Sequence, residues 1–312
     1  SEQSLPVESV LPMETADVQP LIEPKFVDRG PMFVPSRAFF AEMYDQRGLE
    51  GVSNDVVSDW VQDQYMKRGR DLDLNLEGSD QRAWDFLNRF EDHVLFEDDD
   101  LLVVNKPIHV LSHNSDQEPV GVLEVSRFLR GENLILLHRL DRPTSGVMAL
   151  AKSKEAFVDV SRQIADKVGS GAKKKYIAIL DGAAPSMLPF IADVPLAPEG
   201  ASKMKVVTPV DDQVGAKTSI TYFEPRAVVR SDSGDFKTIM DVQIYTGRTH
   251  QIRVVAAQYL NLPISGDYLY GNRASNFFQR MMLHAHSLAI VHPRTGTRMS
   301  FVAPIPEDFN TH

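Results

Sequence analysis

The sequence predicts an α+β fold: a mixed, largely antiparallel sheet with flanking helices, preceded by a small helical extension. Three observations carry that prediction. Beyond about residue 90 the apolar pattern becomes a series of short aliphatic runs separated by turns. Only a few stretches of helical period interrupt those runs. No repeat occurs at a solenoid spacing. With 312 residues the chain is long enough for one large or two ordinary domains, at about 100–200 residues each. Hydrophobic residues make up 43% and charged residues 24%, enough apolar material for a sizeable core.

The elements read in order as follows. Residues 1–31 are punctuated by Pro6, Pro12, Pro20, Pro24 and Pro31 and are expected to form an extended or disordered arm. Acid and proline in its first twenty residues do not suit a signal peptide. Residues 32–90 read as an acidic helical extension with three helix candidates. Ser36 opens one carrying Phe39, Phe40 and Met43; Ser53 caps one carrying Val56, Val57, Trp60, Val61 and Tyr65; Ser79 caps one carrying Trp84, Leu87 and Phe90. Residues 91–312 read as the main domain. Its strand candidates are His93–Phe96 and Leu101–Asn105 around the acidic turn Glu97–Asp100, then Asn133–His138, Val147–Ala151, Lys175–Leu180, Thr218–Phe223 and Thr238–Tyr245. Helices are expected near Val122–Leu129, Lys154–Lys167 and Thr249–Leu260, the last with Ile252, Val255, Ala256 and Tyr259 on one face.

Composition narrows the chemistry. The chain has no cysteine, which excludes disulfides, a thiol nucleophile and cysteine-ligated metal centres. No apolar run approaches the roughly 20 residues of a membrane-spanning helix, so a cytoplasmic protein is expected. The formal charge of −10 argues against a polyanionic partner until it is divided along the chain. Residues 1–100 hold 9 basic and 23 acidic side chains, a formal −14; residues 101–312 hold 24 and 20, a formal +4. The acidity sits in front of a mildly basic body.

Three clusters carry chemical potential. The densest is His138-Arg139-Leu140-Asp141-Arg142-Pro143-Thr144-Ser145-Gly146, a tight turn between two apolar strand candidates. Arginines on either side of Asp141 favour a charged carboxylate, fit to act as nucleophile or base; a structural aspartate bonding turn amides fits the same residues equally well. The second cluster is Thr246-Gly247-Arg248-Thr249-His250-Gln251-Ile252-Arg253, where strand gives way to helix. Arg248 and Arg253 there could serve a carboxylate or a phosphate, or belong to a solvated first turn. The third is Lys173-Lys174-Lys175-Tyr176, an edge with a ring able to stack on a flat ligand.

Together the clusters resemble the RluA-type pseudouridine synthases. Residues 138–146 match that family's His-Arg-Leu-Asp-x-x-Thr-Ser-Gly turn at every fixed position. The run to Ala178 resembles its Lys-x-Tyr-x-Ala element, and residues 246–253 resemble its Thr-Gly-Arg-Thr-His-Gln-Ile-Arg element. Asn105-Lys106-Pro107, Gly266-Asp267, Tyr270-Gly271, Leu283-His284-Ala285 and His292-Pro293 agree in order, so the likeness runs from about Phe90 to Phe309. Two departures stand out. The family usually has glycine soon after Asn-Lys-Pro, where this chain has Ile108-His109. Val254-Val255 follows Arg253 where Val-His is common.

The resemblance implies a pseudouridine synthase-like sheet in two halves with a central cleft, and isomerisation of uridine to pseudouridine within ribosomal or transfer RNA. Asp141 would be the essential catalytic carboxylate, acting after the base is flipped from its stack. Arg253 would pair with Asp141, and Tyr176 would pack on the uracil. Arg139 would recognise and replace the extruded nucleotide, with His138, Arg142, Thr144, Arg248, His250 and Lys106 completing the substrate set. The overall reaction neither oxidises nor hydrolyses, so no metal or nucleotide cofactor is expected, and the chain is expected to act as a monomer away from membranes. His284 and His286 read as packing residues rather than metal ligands. Ser145 lacks the nucleophile-elbow pattern of a hydrolase. The rival reading from another class is a catalytically silent RNA-binding protein on the same scaffold. If the acidic front screens RNAs, removing residues 1–85 should broaden or strengthen RNA binding; unchanged selectivity across an RNA panel would refute that role.

Overall fold

The computed structural model describes Gln64, Phe86 and residues 89–309, apart from short stretches at 116–117, 119, 132, 167–170, 209–214, 232–233, 272–277 and 279. The expected arm (1–31) and nearly all of the expected helical extension (32–90) lie outside the described residues. Phe86 and Phe90 are described and buried. Their rings meet edge to face at 5.4 Å, and Phe86 meets His93 at 4.9 Å.

Eleven strands form one sheet: β1 (Val94–Glu97), β2 (Leu101–Lys106), β3 (Ile135–Leu136), β4 (Ser145–Ala151), β5 (Lys173–Asp181), β6 (Phe190–Glu199), β7 (Lys203–Val206), β8 (Lys217–Arg230), β9 (Phe236–Ile244), β10 (Leu283–Val291) and β11 (Arg298–Val302). The order is β1-β2-β4-β10-β5-β9-β8-β6-β7, with β3 added to β4 and β11 to β10. One pairing is parallel, β4 with β10, and it registers only Ser145 with His284 and Gly146 with Ala285. The other pairings are antiparallel. The sheet is therefore mixed and largely antiparallel, and its two halves meet along a very short parallel seam.

On the first half, α1 (Val122–Arg130) and α2 (Lys154–Ala165) flank the sheet. The Ser153 hydroxyl caps α2 by accepting the Ala156 amide at 3.1 Å. Ala156 and Val160 of this helix join Leu101, Val103, Val147, Ala149, Leu288 and Phe301 in one buried cluster. Alternate residues of several strands thus converge on a single helix face, which is why these strands read as almost continuous apolar runs.

Three expectations need correction. The helix expected over Thr249–Leu260 is an α-helical turn, α3 (Gln251–Val254), that widens into a π turn over Val255–Tyr259. The Leu260 amide reaches back to the Val255 carbonyl at 3.1 Å. A wider turn rotates later residues off the helical face, so Val255 and Ala256 are buried while Tyr259 is exposed. The run Asn133–His138 is a strand only at Ile135–Leu136. The strand expected over Thr218–Phe223 extends through Pro225 to Arg230, because a register shift between Pro225 and Ala227 accommodates the missing amide. Strands β6 and β10 were not anticipated. Pro195 and Pro198 disguise the first, and two histidines break the apolar run of the second.

Gly146 stands at the seam with φ +114°, and a Cβ there would collide with the Ala285 carbonyl. Backbone conformation and space both require glycine. Gly146→Ala is expected to destabilise the fold by more than about 3 kcal/mol, read as a lowered urea midpoint.

Candidate active site

The seam places a turn on one side of a cleft of about 990 Å³ and the α3 loop on the other. The turn carries Asp141. The Thr144 amide donates to the Asp141 carbonyl at 3.0 Å, closing a bend over Arg142-Pro143. A loop after β2 then clamps it. The Ser112 hydroxyl donates to the Leu140 carbonyl at 2.7 Å and accepts the Leu140 amide at 3.0 Å. The His109 amide donates to the Arg142 carbonyl at 2.8 Å.

Lys106 lies beneath this turn, fully buried. Its ammonium donates to the carbonyls of Pro107 (2.9 Å), Val110 (2.7 Å) and Arg142 (3.2 Å). Burial lowers its pKa to about 7, against the pull of Asp141. The sequence suggested a substrate contact for Lys106. Its three donors are instead committed to the backbone, and it supports the turn from below. His109 occupies the stretch where glycine is usual, and it adopts φ +62°. The loop keeps a path that favours glycine, at the expense of a strained histidine.

On the opposite wall Arg253 joins two carboxylates. Its Nη1 donates to Asp141 Oδ2 at 3.0 Å, while Nε and Nη2 grip Asp267 at 2.7 and 2.8 Å. Asp267 is buried and also accepts the amides of Leu269 and Tyr270 at 2.9 and 3.3 Å. Burial opposes ionisation of Asp267, but Arg253 and the two amides outweigh it and hold the carboxyl below its ordinary range. Burial likewise disfavours the guanidinium charge, and the two carboxylates more than reverse that. The sequence analysis assigned no role to Asp267. The resemblance touched it as part of Gly266-Asp267, and nothing local signalled that it shares Arg253 with Asp141.

The α3 loop is held to β8 by Gln251. This buried amide accepts from the Thr246 hydroxyl (2.7 Å) and the Arg248 amide (3.0 Å), and donates to the Ile220 carbonyl (3.1 Å) and Thr221 Oγ1 (2.9 Å). His250 sits at the mouth of α3 with φ +53°. The Tyr270 hydroxyl accepts the Met204 amide at 2.8 Å and shares a hydrogen bond with His250 Nδ1 at 2.9 Å. The other ring nitrogen, Nε2, lies 4.0 Å from Asp141 Oδ2. Burial lowers the His250 pKa, more than Asp141 raises it, so the ring is neutral at pH 7.

The remaining expected residues divide. Tyr176 is buried on β5 and lines the cleft with Asp141; burial, then the charge of Asp141, push its phenol up. Arg139 is exposed at the rim, with Nη1 3.2 Å from His113 Nε2. Arg248 lines the cleft and its Nε donates to the Thr218 carbonyl at 3.0 Å. Arg142 is turned onto Glu118 at 2.6 Å, and Thr144 is buried. His138 accepts the Ala149 amide on Nε2 at 3.2 Å, so it holds β4 in place.

Away from the cleft, His284 bonds Ser145 and His286 bonds the Ala303 carbonyl, as packing residues do. Asp98, Asp100 and His292 lie close enough to face one ion. They are already engaged with one another and with Arg294, His292 lying 2.8 Å from Asp98 and Arg294 2.7 Å from Asp100, so they serve as a brace on the β1–β2 turn.

The cleft thus brings together a carboxylate with one oxygen held by arginine and a buried tyrosine, between the two half-sheets. The RNA pseudouridylate synthase family model matches residues 100–258, and the chain belongs to that family. It is an RNA pseudouridine synthase, an isomerase of RNA uridine. Among its relatives, the ribosomal large subunit pseudouridine synthase C of Buchnera aphidicola subsp. Baizongia pistaciae is 34% identical over 231 residues, which cover 71% of this chain and 70% of the relative. The protein of the same name from Escherichia coli K12 is 35% identical over 226 residues, 69% of this chain and 67% of the relative. The human RNA pseudouridylate synthase domain containing 1 superimposes with a TM-score of 0.57 at 25% identity, over 69% of this chain and 83% of that one. The fold is also that of human RNA pseudouridylate synthase domain containing 4, with a TM-score of 0.58 at 23% identity over 74% and 95% of the two chains.

Lys106→Met would leave three carbonyls under the Asp141 turn without a donor, and is expected to destabilise the protein by at least about 1–3 kcal/mol. Between the lowered pKa of about 7 and the ordinary 10.5, the unfolded chain binds more protons than the folded one. The stabilising contribution of Lys106 should therefore grow as pH rises across that window. Urea titrations of both proteins at pH 6 to 10 measure this; a difference that shrinks with rising pH would contradict it.

Proposed function

We propose that this chain isomerises uridine in large-subunit ribosomal RNA, with Asp141 as the carboxylate that opens the glycosidic bond. The observation that carries the mechanism is the asymmetry of Asp141. Its Oδ2 is occupied by Arg253, while Oδ1 has no hydrogen-bond partner among the described residues. An oxygen of that kind is free either to attack C1′ or to take a proton from C2′, and both routes break the same N1–C1′ bond. Positive charge grows at the sugar as the bond opens. Asp141 and Asp267 share one arginine, so the group retains one net negative charge to meet it.

Tyr176 then has a restricted role. Its phenol is kept protonated, so it serves as a wall for the uracil and a hydrogen-bond donor rather than as a base. The proton leaving C5 after the base has rotated must go elsewhere. Asp141 is a free carboxylate again once C5 bonds C1′, either by leaving C1′ or by returning its proton to C2′, and can pass the C5 proton to water, while N1, which left as an anion, takes a proton from water. Arg139 fills the gap left by the flipped base, a role its exposure at the rim supports. The ribosomal target is supported by the names of the relatives above, which are large-subunit enzymes.

The test follows the C5 hydrogen, which isomerisation must release. The wild-type chain is incubated with ribosomal and transfer RNA fractions carrying tritium at uridine C5. Release is expected from the large ribosomal RNA. Asp141→Asn, which keeps the shape and loses the charge, is expected to reduce release at least about 1000-fold, since it removes the reacting group itself. Appreciable turnover by that variant would remove Asp141 from its role, and release from transfer RNA alone would replace the substrate.

A further inference from the structure

We infer that Lys174 holds a backbone phosphate of the target nucleotide, in a subsite that Gly247 leaves open beside the uracil pocket; this rests on the reading of Asp141 and Tyr176 above. Lys174 lies in a run of three lysines. Lys173 and Lys175 are exposed, whereas Lys174 is half-buried and lines the cleft. Strand alternation explains the difference. Lys174 and Tyr176 stand two residues apart on the same face of β5, opposite Ile244 and Val242 of β9. The side chain that packs the base and the ammonium are thus neighbours along one wall, about 7 Å apart at the backbone. A nucleotide places its phosphate one sugar away from its base, which suits that step.

Among the described residues no carboxylate or carbonyl pairs with the Lys174 ammonium. Burial alone lowers its pKa, to about 8. A partly desolvated cation without a partner is unfavourable, and an anion entering the cleft would relieve it. The surroundings leave room for one. Gly247 is exposed, and a Cβ at that position would stand 3.9 Å from Lys174 Nζ, so the absence of a side chain keeps the ammonium open. His138, in the same wall, accepts the Ala149 amide on Nε2, and burial, then the charge of Lys174, push it down to about 3, so its neutral ring adds no second cation there. A partnerless cation kept open by a glycine is what a phosphodiester oxygen requires.

The experiment uses the full chain and a synthetic RNA stem-loop spanning the uridine that the wild type converts. A methylphosphonate, which removes one charge, replaces the phosphate 5′ or 3′ to that uridine. Lys174→Met is expected to lower kcat/KM by roughly tenfold or more on the unmodified RNA, through KM. The slope of log KM against log salt should fall by about 0.7, one single-stranded phosphate contact. Its Tm should match or exceed that of the wild type, because an unpaired charge is gone. Lys174→Arg should recover most of the loss. At one of the two positions the methylphosphonate should harm the wild type and leave Lys174→Met no worse, and that position identifies the phosphate. Additive losses at both positions, or an unchanged salt slope, would overturn the subsite while leaving the isomerase reading intact. Should Lys174→Met not fold, indifference of the wild type to charge removal at both positions overturns it equally. Absence of conversion by the wild type removes the isomerase reading and the subsite with it.

Discussion

Everything in the cleft depends on Arg253. One guanidinium uses three of its N–H groups to join Asp141 of the turn before β4 to Asp267 of the loop before β10. The bidentate side faces Asp267, which is buried and backed by two amides, so that pair acts as a fixed anchor. The single remaining bond orients Asp141 from one side only. A buried ion pair is weak evidence of stability, because desolvation opposes it. Here its value is directional: it aims one carboxylate oxygen and leaves the other open.

The sheet supplies the precision. Asp141 and Tyr176 belong to different half-sheets, and β10 lies between β4 and β5. The seam of two parallel register pairs is short enough to leave a cleft at its end. It is held by Gly146, whose missing side chain admits the Ala285 carbonyl. Below, Lys106 fastens the turn through carbonyls; above, Gln251 fastens the loop to β8. Left-handed backbone occurs at His250, which lines the cleft, and at His109, whose amide holds the Arg142 carbonyl of the Asp141 turn.

The sequence made much of this legible. The turn around Asp141 was recognisable because every one of its residues lies within nine positions, and Tyr176 and Arg253 lay in compact stretches of the same kind. Main-domain helices α1 and α2 showed through their period and through the Ser153 cap. Other features were hidden for physical reasons. Asp267 acquires its meaning only from Arg253, fourteen residues away across a loop. Lys106 looked like a ligand contact, because a lone lysine beside a proline gives no hint that three carbonyls surround it. The π turn after α3 was invisible because hydrogen-bond register leaves no mark on an apolar period.

By itself, the sequence determined the class of fold, the chemistry of the turn, and the identity of the residues that could react. Those are matters of local pattern, of side-chain type and of the turn that Pro143 and Gly146 impose. Tertiary structure alone decided which charges meet. It gave Arg253 two carboxylates, sank Lys106 beneath the turn and turned Lys174 inward without a partner. It also brought His250 against Tyr270 and Asp141. Such pairings join residues distant in the chain, and only the closing of the sheet brings them within hydrogen-bonding reach.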